Sequence, residues 1–100
     1  MKERYVTKRI MTYLRGHGVA IRMAVYGTYQ EAGWPDILFF RRRAAGGTQA
    51  FGFEVKVGKR KATPLQEHRM RALEDAGFVC AVVGSLEEVK EVLQSAQDGV

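Results

Sequence analysis

The chain has 100 residues, 46% of them hydrophobic, with sixteen Lys+Arg against eleven Asp+Glu and a formal charge of +5. That length suits one domain over residues 1–100 with one modest core, and no apolar run approaches the roughly 20 residues of a helical membrane span. The basic balance points to a polyanionic partner, with nucleic acid and an anionic membrane surface as the two candidates.

Residues 2–15 read as a helix closed by Gly16, because Val6, Thr7, Ile10, Tyr13 and Leu14 recur at three- and four-residue steps. Glu3 falls on the same face, whereas Lys2, Arg4, Lys8, Arg9 and Arg15 fall largely elsewhere. Met1-Lys2-Glu3-Arg4-Tyr5 lacks the apolar segment of a signal peptide, so a cytoplasmic protein of a bacterium or a virus-infected cell is expected. After the turn Gly16-His17-Gly18, residues 19–26 read as a strand, and residues 27–33 as a polar connection. Tyr26, Tyr29 and Trp34 are candidates for stacking on bases, with core packing the expected role of Trp34.

Pro35 introduces a short strand, Ile37-Leu38-Phe39-Phe40, apolar on both faces and so expected to be covered on both. Residues 41–49 then form a basic connection with Arg41, Arg42, Arg43 and two glycines. Residues 50–58 are the third strand, with Phe51, Phe53, Val55 and Val57 on a core face. Gly52, Glu54, Lys56 and Gly58 take the opposite face, where the glycines are expected to leave room above the charges. A basic loop, Lys59-Arg60-Lys61, precedes a helix signalled by a Thr63 cap, Pro64 at its first position and a capping-box Gln66, ending at Gly77. Residues 78–83 form a fourth strand, in which Cys80 reads as a small buried hydrophobe rather than a nucleophile. Ser85 opens a last helix with Val89, Val92, Leu93 and Ala96 on its apolar side. That side and the 19–26 edge are the expected surfaces for self-association. The predicted fold is α/β, a mixed four-stranded sheet flanked by helices in the order α-β-β-β-α-β-α.

Glu54 and Lys56 leave one face of a strand about 6–7 Å apart. If the second and third strands pair as a hairpin, Asp36 at the start of one lies beside Glu54 near the end of the other. Two carboxylates about 4 Å apart repel by roughly 4 kcal/mol at an effective dielectric near 20, a cost that a divalent cation reverses. Oxygen ligands without a His or Cys cluster favour Mg²⁺ or Mn²⁺. Lys56 can then orient water or offset charge on a phosphate. A solvated Glu-Lys pair on an edge strand is the plainer reading, but Asp36 at the right strand boundary and the basic composition favour chemistry.

Gly33-Trp34-Pro35-Asp36, then Glu54-Val55-Lys56, then Gln66 in the next helix, resemble the virus-type replication-repair nuclease (VRR-NUC) domain of the PD-(D/E)XK superfamily. The resemblance covers nearly the whole chain and implies a restriction-endonuclease-like αβββαβ core with a C-terminal helix added. It implies Asp36, Glu54 and the Val55 carbonyl as metal ligands, Lys56 as the catalytic lysine, Gln66 as a supporting residue and Glu3 as a further acidic residue at the site. Lys59, Arg60, Lys61, Arg41, Arg42 and Arg43 are the candidate DNA contacts. The implied activity is a Mg²⁺- or Mn²⁺-dependent DNA endonuclease leaving 5′-phosphate and 3′-hydroxyl ends. Branched DNA such as a four-way (Holliday) junction is the expected substrate and a homodimer the expected assembly. A non-cleaving nucleic-acid-binding module on the same fold is the alternative.

Overall fold

The computed structural model describes residues 2–23 and 31–97. Helix α1 (Glu3–Arg15) is followed by strands β1 (Val19–Arg22), β2 (Ile37–Arg42) and β3 (Thr48–Val55), helix α2 (Pro64–Asp75), strand β4 (Val79–Val83) and helix α3 (Leu86–Ser95). The four strands form one sheet in the order β1-β2-β3-β4. The first two pairings are antiparallel and β3-β4 is parallel, so the sheet is mixed, as the sequence predicts. Tyr26 and Tyr29, with residues 24–30 of the predicted strand and connection, lie outside the described residues.

One face of the sheet carries the core. Ile37 and Phe39 of β2 and Phe51, Phe53 and Val55 of β3 point towards α1 and α3, where Val6, Ile10, Leu14, Val89 and Leu93 meet them. Stacked Phe51 and Phe53 rings, 5.8 Å apart, fill its centre and bury large apolar areas. Val89 and Leu93 are consumed in this core, so the apolar side of α3 is not the free association surface that the sequence suggests.

The other face carries α2, which fills the space that the sequence predicts to be open at Gly52. A Cβ at Gly52 would lie 3.1 Å from Pro35 Cγ, 3.2 Å from Cys80 Sγ and 3.5 Å from Leu73 Cδ1. That glycine therefore admits the chain's own Pro35 and α2 rather than an incoming ligand. Gly33 has φ +91°, and a Cβ there would meet Leu65 Cγ at 2.6 Å, which draws the loop before β2 onto the same helix. Trp34 packs in this loop beneath the Arg69 guanidinium, 4.6 Å from the ring centroid, and donates to Glu31.

Helix α2 begins and ends as its sequence dictates. Thr63 Oγ1 accepts from the Gln66 N–H, and the Gln66 side chain accepts from the Thr63 N–H. At the other end Gly77 has φ +103°, with Gly77 N–H bonded to Glu74 O and Phe78 N–H to Leu73 O. This is a Schellman stop, which withdraws Phe78 from the strand predicted to start there. Cys80 is partly buried and its thiol is pushed up to about 11, chiefly by burial and then by Glu74, so it is a poor nucleophile.

The hairpin differs from expectation in register. Arg41 and Arg42 belong to β2, pairing with Gln49 and Thr48, and only residues 43–47 make the turn, closed by Arg43 N–H to Gly47 O. Strand β3 accordingly starts two residues early and ends at Val55, before Lys56. At the turn end the cause is Arg41: it donates to Gln49 Oε1, to Leu93 O of α3 and to Ala96 O at that helix's C-cap, with its guanidinium 4.9 Å from the Phe51 ring centroid. Arg41→Ala takes the side-chain donor from Leu93 O and from Gln49 Oε1, while Ala96 O keeps the one from Gln49 Nε2 at 2.7 Å. It is expected to destabilise by about 1–3 kcal/mol, read as a lower urea midpoint at unchanged m. An unchanged midpoint would show that this anchoring contributes nothing.

Candidate active site

The hairpin register brings Ile37 opposite Phe53, and one step further Asp36 comes beside Glu54. Asp36 is held firmly. The Val55 N–H donates to its Oδ2 at 2.8 Å, and Arg22 Nη1 reaches its carbonyl at 3.0 Å and Oδ1 at 3.4 Å. Arg22 is a site residue that the sequence reading missed. Its signal is positional, since antiparallel pairing puts Arg22 opposite Ile37, but that register is invisible without the sheet.

Glu54 is 2% exposed, under α2. Its Oε2 accepts from Gln66 Nε2 at 3.0 Å and lies 3.6 Å from Lys56 Nζ. Its Oε1 is buried and makes no hydrogen bond with the described residues. Gln66 thus caps α2 with its oxygen and steadies Glu54 with its nitrogen, and the two roles coexist in one side chain. Lys56 is fixed just past the strand by its N–H bond to Val83 O, 2.9 Å, and its side chain is 9% exposed.

The Glu54 carboxyl is pushed up to about 7. Burial is the main cause and the facing Asp36 the next, while Lys56 pulls the other way. The carboxylates are close enough to share a hydrogen bond when Glu54 holds a proton. When it does not, two acceptors confront each other and Oε1 is orphaned. An unpartnered buried oxygen of this kind is costly, and a cation relieves it as well as a proton does.

The donor set fits a hard divalent ion. Among the described residues no three His, Cys, Asp or Glu side chains converge, and the facing pair Asp36 and Glu54 are the candidate side-chain ligands. Mg²⁺ and Mn²⁺ are commonly held by one or two carboxylates, with water and substrate phosphate completing the shell. Glu3 does not join the carboxylates: it is bound by Arg60 at 2.7 Å, which ties the start of α1 to the loop after Lys56. Lys59 and Lys61 are exposed in that loop. Arg41, Arg42 and Arg43 sit at the other end of the hairpin, roughly 20 Å from Asp36 at about 3.4 Å per residue, so they do not converge with the site. Arg43 bonds to Thr48 O across the turn. His17 stacks on Tyr13 and His68 is exposed on α2.

The element order and the mixed sheet define an α/β domain, with an acid pair where β2 begins and β3 ends. Two solved structures narrow this. One, a "VRR_NUC domain protein", is 21% identical with a TM-score of 0.71, covering 94% of this chain and 86% of its own. The other, a "VRR_NUC domain", is 23% identical with a TM-score of 0.73, covering 94% and 96%. This chain has the VRR-NUC fold. No protein-family model matches the sequence, and no curated protein does.

Proposed function

We propose that the protein is a Mg²⁺- or Mn²⁺-dependent DNA endonuclease acting on branched DNA, with the four-way junction as its preferred substrate. The observation that carries the metal-dependent part of this reading is the buried Glu54 carboxylate, with Oε1 orphaned, Asp36 facing the group and Lys56 Nζ 3.6 Å from Oε2. The VRR-NUC fold supports it.

In this reading Asp36, Glu54 and the Val55 carbonyl hold the ion. When bound, the ion polarises the phosphoryl group and acidifies water at the site. The Val55 N–H and Arg22 keep Asp36 in place, and Gln66 fixes the Glu54 rotamer, so both carboxylates are oriented before substrate arrives. Lys56 places a positive charge where negative charge develops on the phosphate. Lys59 and Lys61, exposed beside the site, contact the DNA backbone. A small domain with one such site gains two-fold specificity by pairing with a second copy. Among the described residues no helix is long and apolar enough to cross a membrane, which agrees with a cytoplasmic enzyme.

The test is cleavage of end-labelled four-way junction, flap and linear duplex DNA, with Mg²⁺ or Mn²⁺ and with EDTA. The expected result is metal-dependent cutting, fastest on the junction, by a protein that sediments as a dimer. Linear duplex cut as fast as junction would remove the branched preference. Equal cutting by wild type and Asp36→Ala would remove the assignment itself.

A further inference from the structure

The formal charge is unevenly placed. The first 30 residues hold six of the sixteen Lys+Arg and one of the eleven acids, so they carry the whole +5, and the remaining 70 are balanced. No acid occurs from Arg4 through Gln30. The single acid before them, Glu3, is engaged by Arg60 beside the active site.

Helix α1 turns this charge outward. Val6, Ile10 and Leu14 face the core, which leaves Tyr5, Lys8, Arg9 and Thr12 at i, i+3, i+4 and i+7 as one solvent stripe. Lys2 and Arg4 stand exposed at its start. Tyr5 is 57% exposed, an aromatic ring in open solvent among cations. An open depression of about 460 Å³ lies along the stripe, closed on its far side by Tyr13 and by Leu86 of α3. Lys90 of α3 adds a further cation, with Nζ 5.0 Å from the Tyr13 ring centroid. A second depression, about 550 Å³, lies between Lys2, Arg4, Tyr5 and Lys8. The helix begins at the active-site end of the sheet, because Glu3 meets Arg60, and runs away from it for roughly 20 Å.

We infer that the outer face of α1 binds a single DNA strand flanking the active site, with phosphates against Lys8 and Arg9 and an unpaired base stacked on Tyr5. The cations fit any nucleic-acid backbone. The exposed ring among them is what selects an unpaired strand over a closed duplex, whose bases are not free to stack. This inference rests on the proposed DNA-acting function and adds to it the surface that takes an unpaired arm or flap.

The test measures binding without metal, so cleavage does not enter. Fluorescence anisotropy in EDTA, over a range of NaCl, would compare a labelled oligothymidine of about 20 nucleotides with a duplex of equal length. Replacing both cations (Lys8→Gln with Arg9→Gln) should weaken binding and reduce the salt slope by about 1.4, at about 0.7 per lost single-strand phosphate contact. Tyr5→Ala should weaken oligothymidine binding about 10-fold and duplex binding less than about twofold, with Tyr5→Phe restoring the loss. Unchanged affinity and slope in the double variant would overturn the inference. So would equal losses on oligothymidine and duplex in Tyr5→Ala. All three positions are exposed, so unchanged melting temperatures are expected and serve as the folding control. A wild type that cuts junctions while these variants bind normally defeats this inference alone. A wild type that binds through α1 and never cuts defeats the nuclease reading alone.

Discussion

Lys56→Ala is expected to slow DNA cleavage by about 10²–10³-fold while leaving Mn²⁺ affinity at or slightly above the wild-type value. The split follows from geometry. In the proposed site Lys56 is not a ligand, because its ammonium carries no lone pair to give a cation. Its ammonium lies 3.6 Å from Glu54 Oε2 and competes with a cation for that charge, so its loss removes a rival for the carboxylate. What disappears is a positive charge held in a poorly hydrated position, where it acts on the developing phosphate charge far more strongly than in water. Asp36→Ala behaves differently. It removes a proposed ligand and also strips the Val55 N–H of its acceptor, so metal affinity and cleavage should fall together. Single-turnover rates at saturating Mn²⁺, beside a direct Mn²⁺ titration, separate the two. A parallel loss of affinity in Lys56→Ala would place the lysine among the residues that build the metal site, and its assigned role would be wrong.

The parts of this site that were legible in the sequence are those set by local rules. Strand alternation puts Glu54 and Lys56 on one face, and a capping box marks Gln66 at the first turn of α2. The antiparallel hairpin then returns Asp36 to Glu54. What was not legible depends on partners distant in sequence. The start of β3 moved because Arg41, paired with Gln49, bonds to the C-terminal end of α3, more than fifty residues away. The same contact carried Arg41 and Arg42 out of the predicted basic connection and into β2. Gly52 looked like open space because a glycine at a charged strand face signals close approach without naming what approaches. The visitor is Pro35 and α2. That packing buries Glu54 and raises its proton affinity, so the feature with the most chemical consequence arose from the fold and not from the motif.

The metal-free protein is expected to lose stability as pH rises from about 5 to about 8, with Glu54 as the cause. Its folded carboxyl titrates near 7 against an ordinary value of 4.5. Between those values the folded chain keeps a proton that the unfolded chain has released, so stability declines as pH increases through the window. Below 4.5 both states are protonated and nothing is lost. Above 7 the full penalty applies, on the order of 3 kcal/mol at 1.36 kcal/mol per unit. Glu54→Gln places an amide where Oε1 is orphaned, and its N–H₂ can donate to Asp36, as the protonated acid does. The variant should therefore be more stable than wild type at pH 8 in EDTA and nearly equal to it at pH 5. Mn²⁺ should reverse the order at pH 8, because binding to the folded state alone stabilises by RT ln(1 + [L]/Kd), a gain open to wild type and denied to Glu54→Gln. Urea denaturation of both proteins at the two pH values, with EDTA and with Mn²⁺, measures the whole square. Taking the difference between the two proteins cancels the other titrating groups. If Glu54→Gln is the less stable of the two at pH 8 in EDTA, the buried carboxylate is already satisfied, and the case for a cation between Asp36 and Glu54 loses its physical basis.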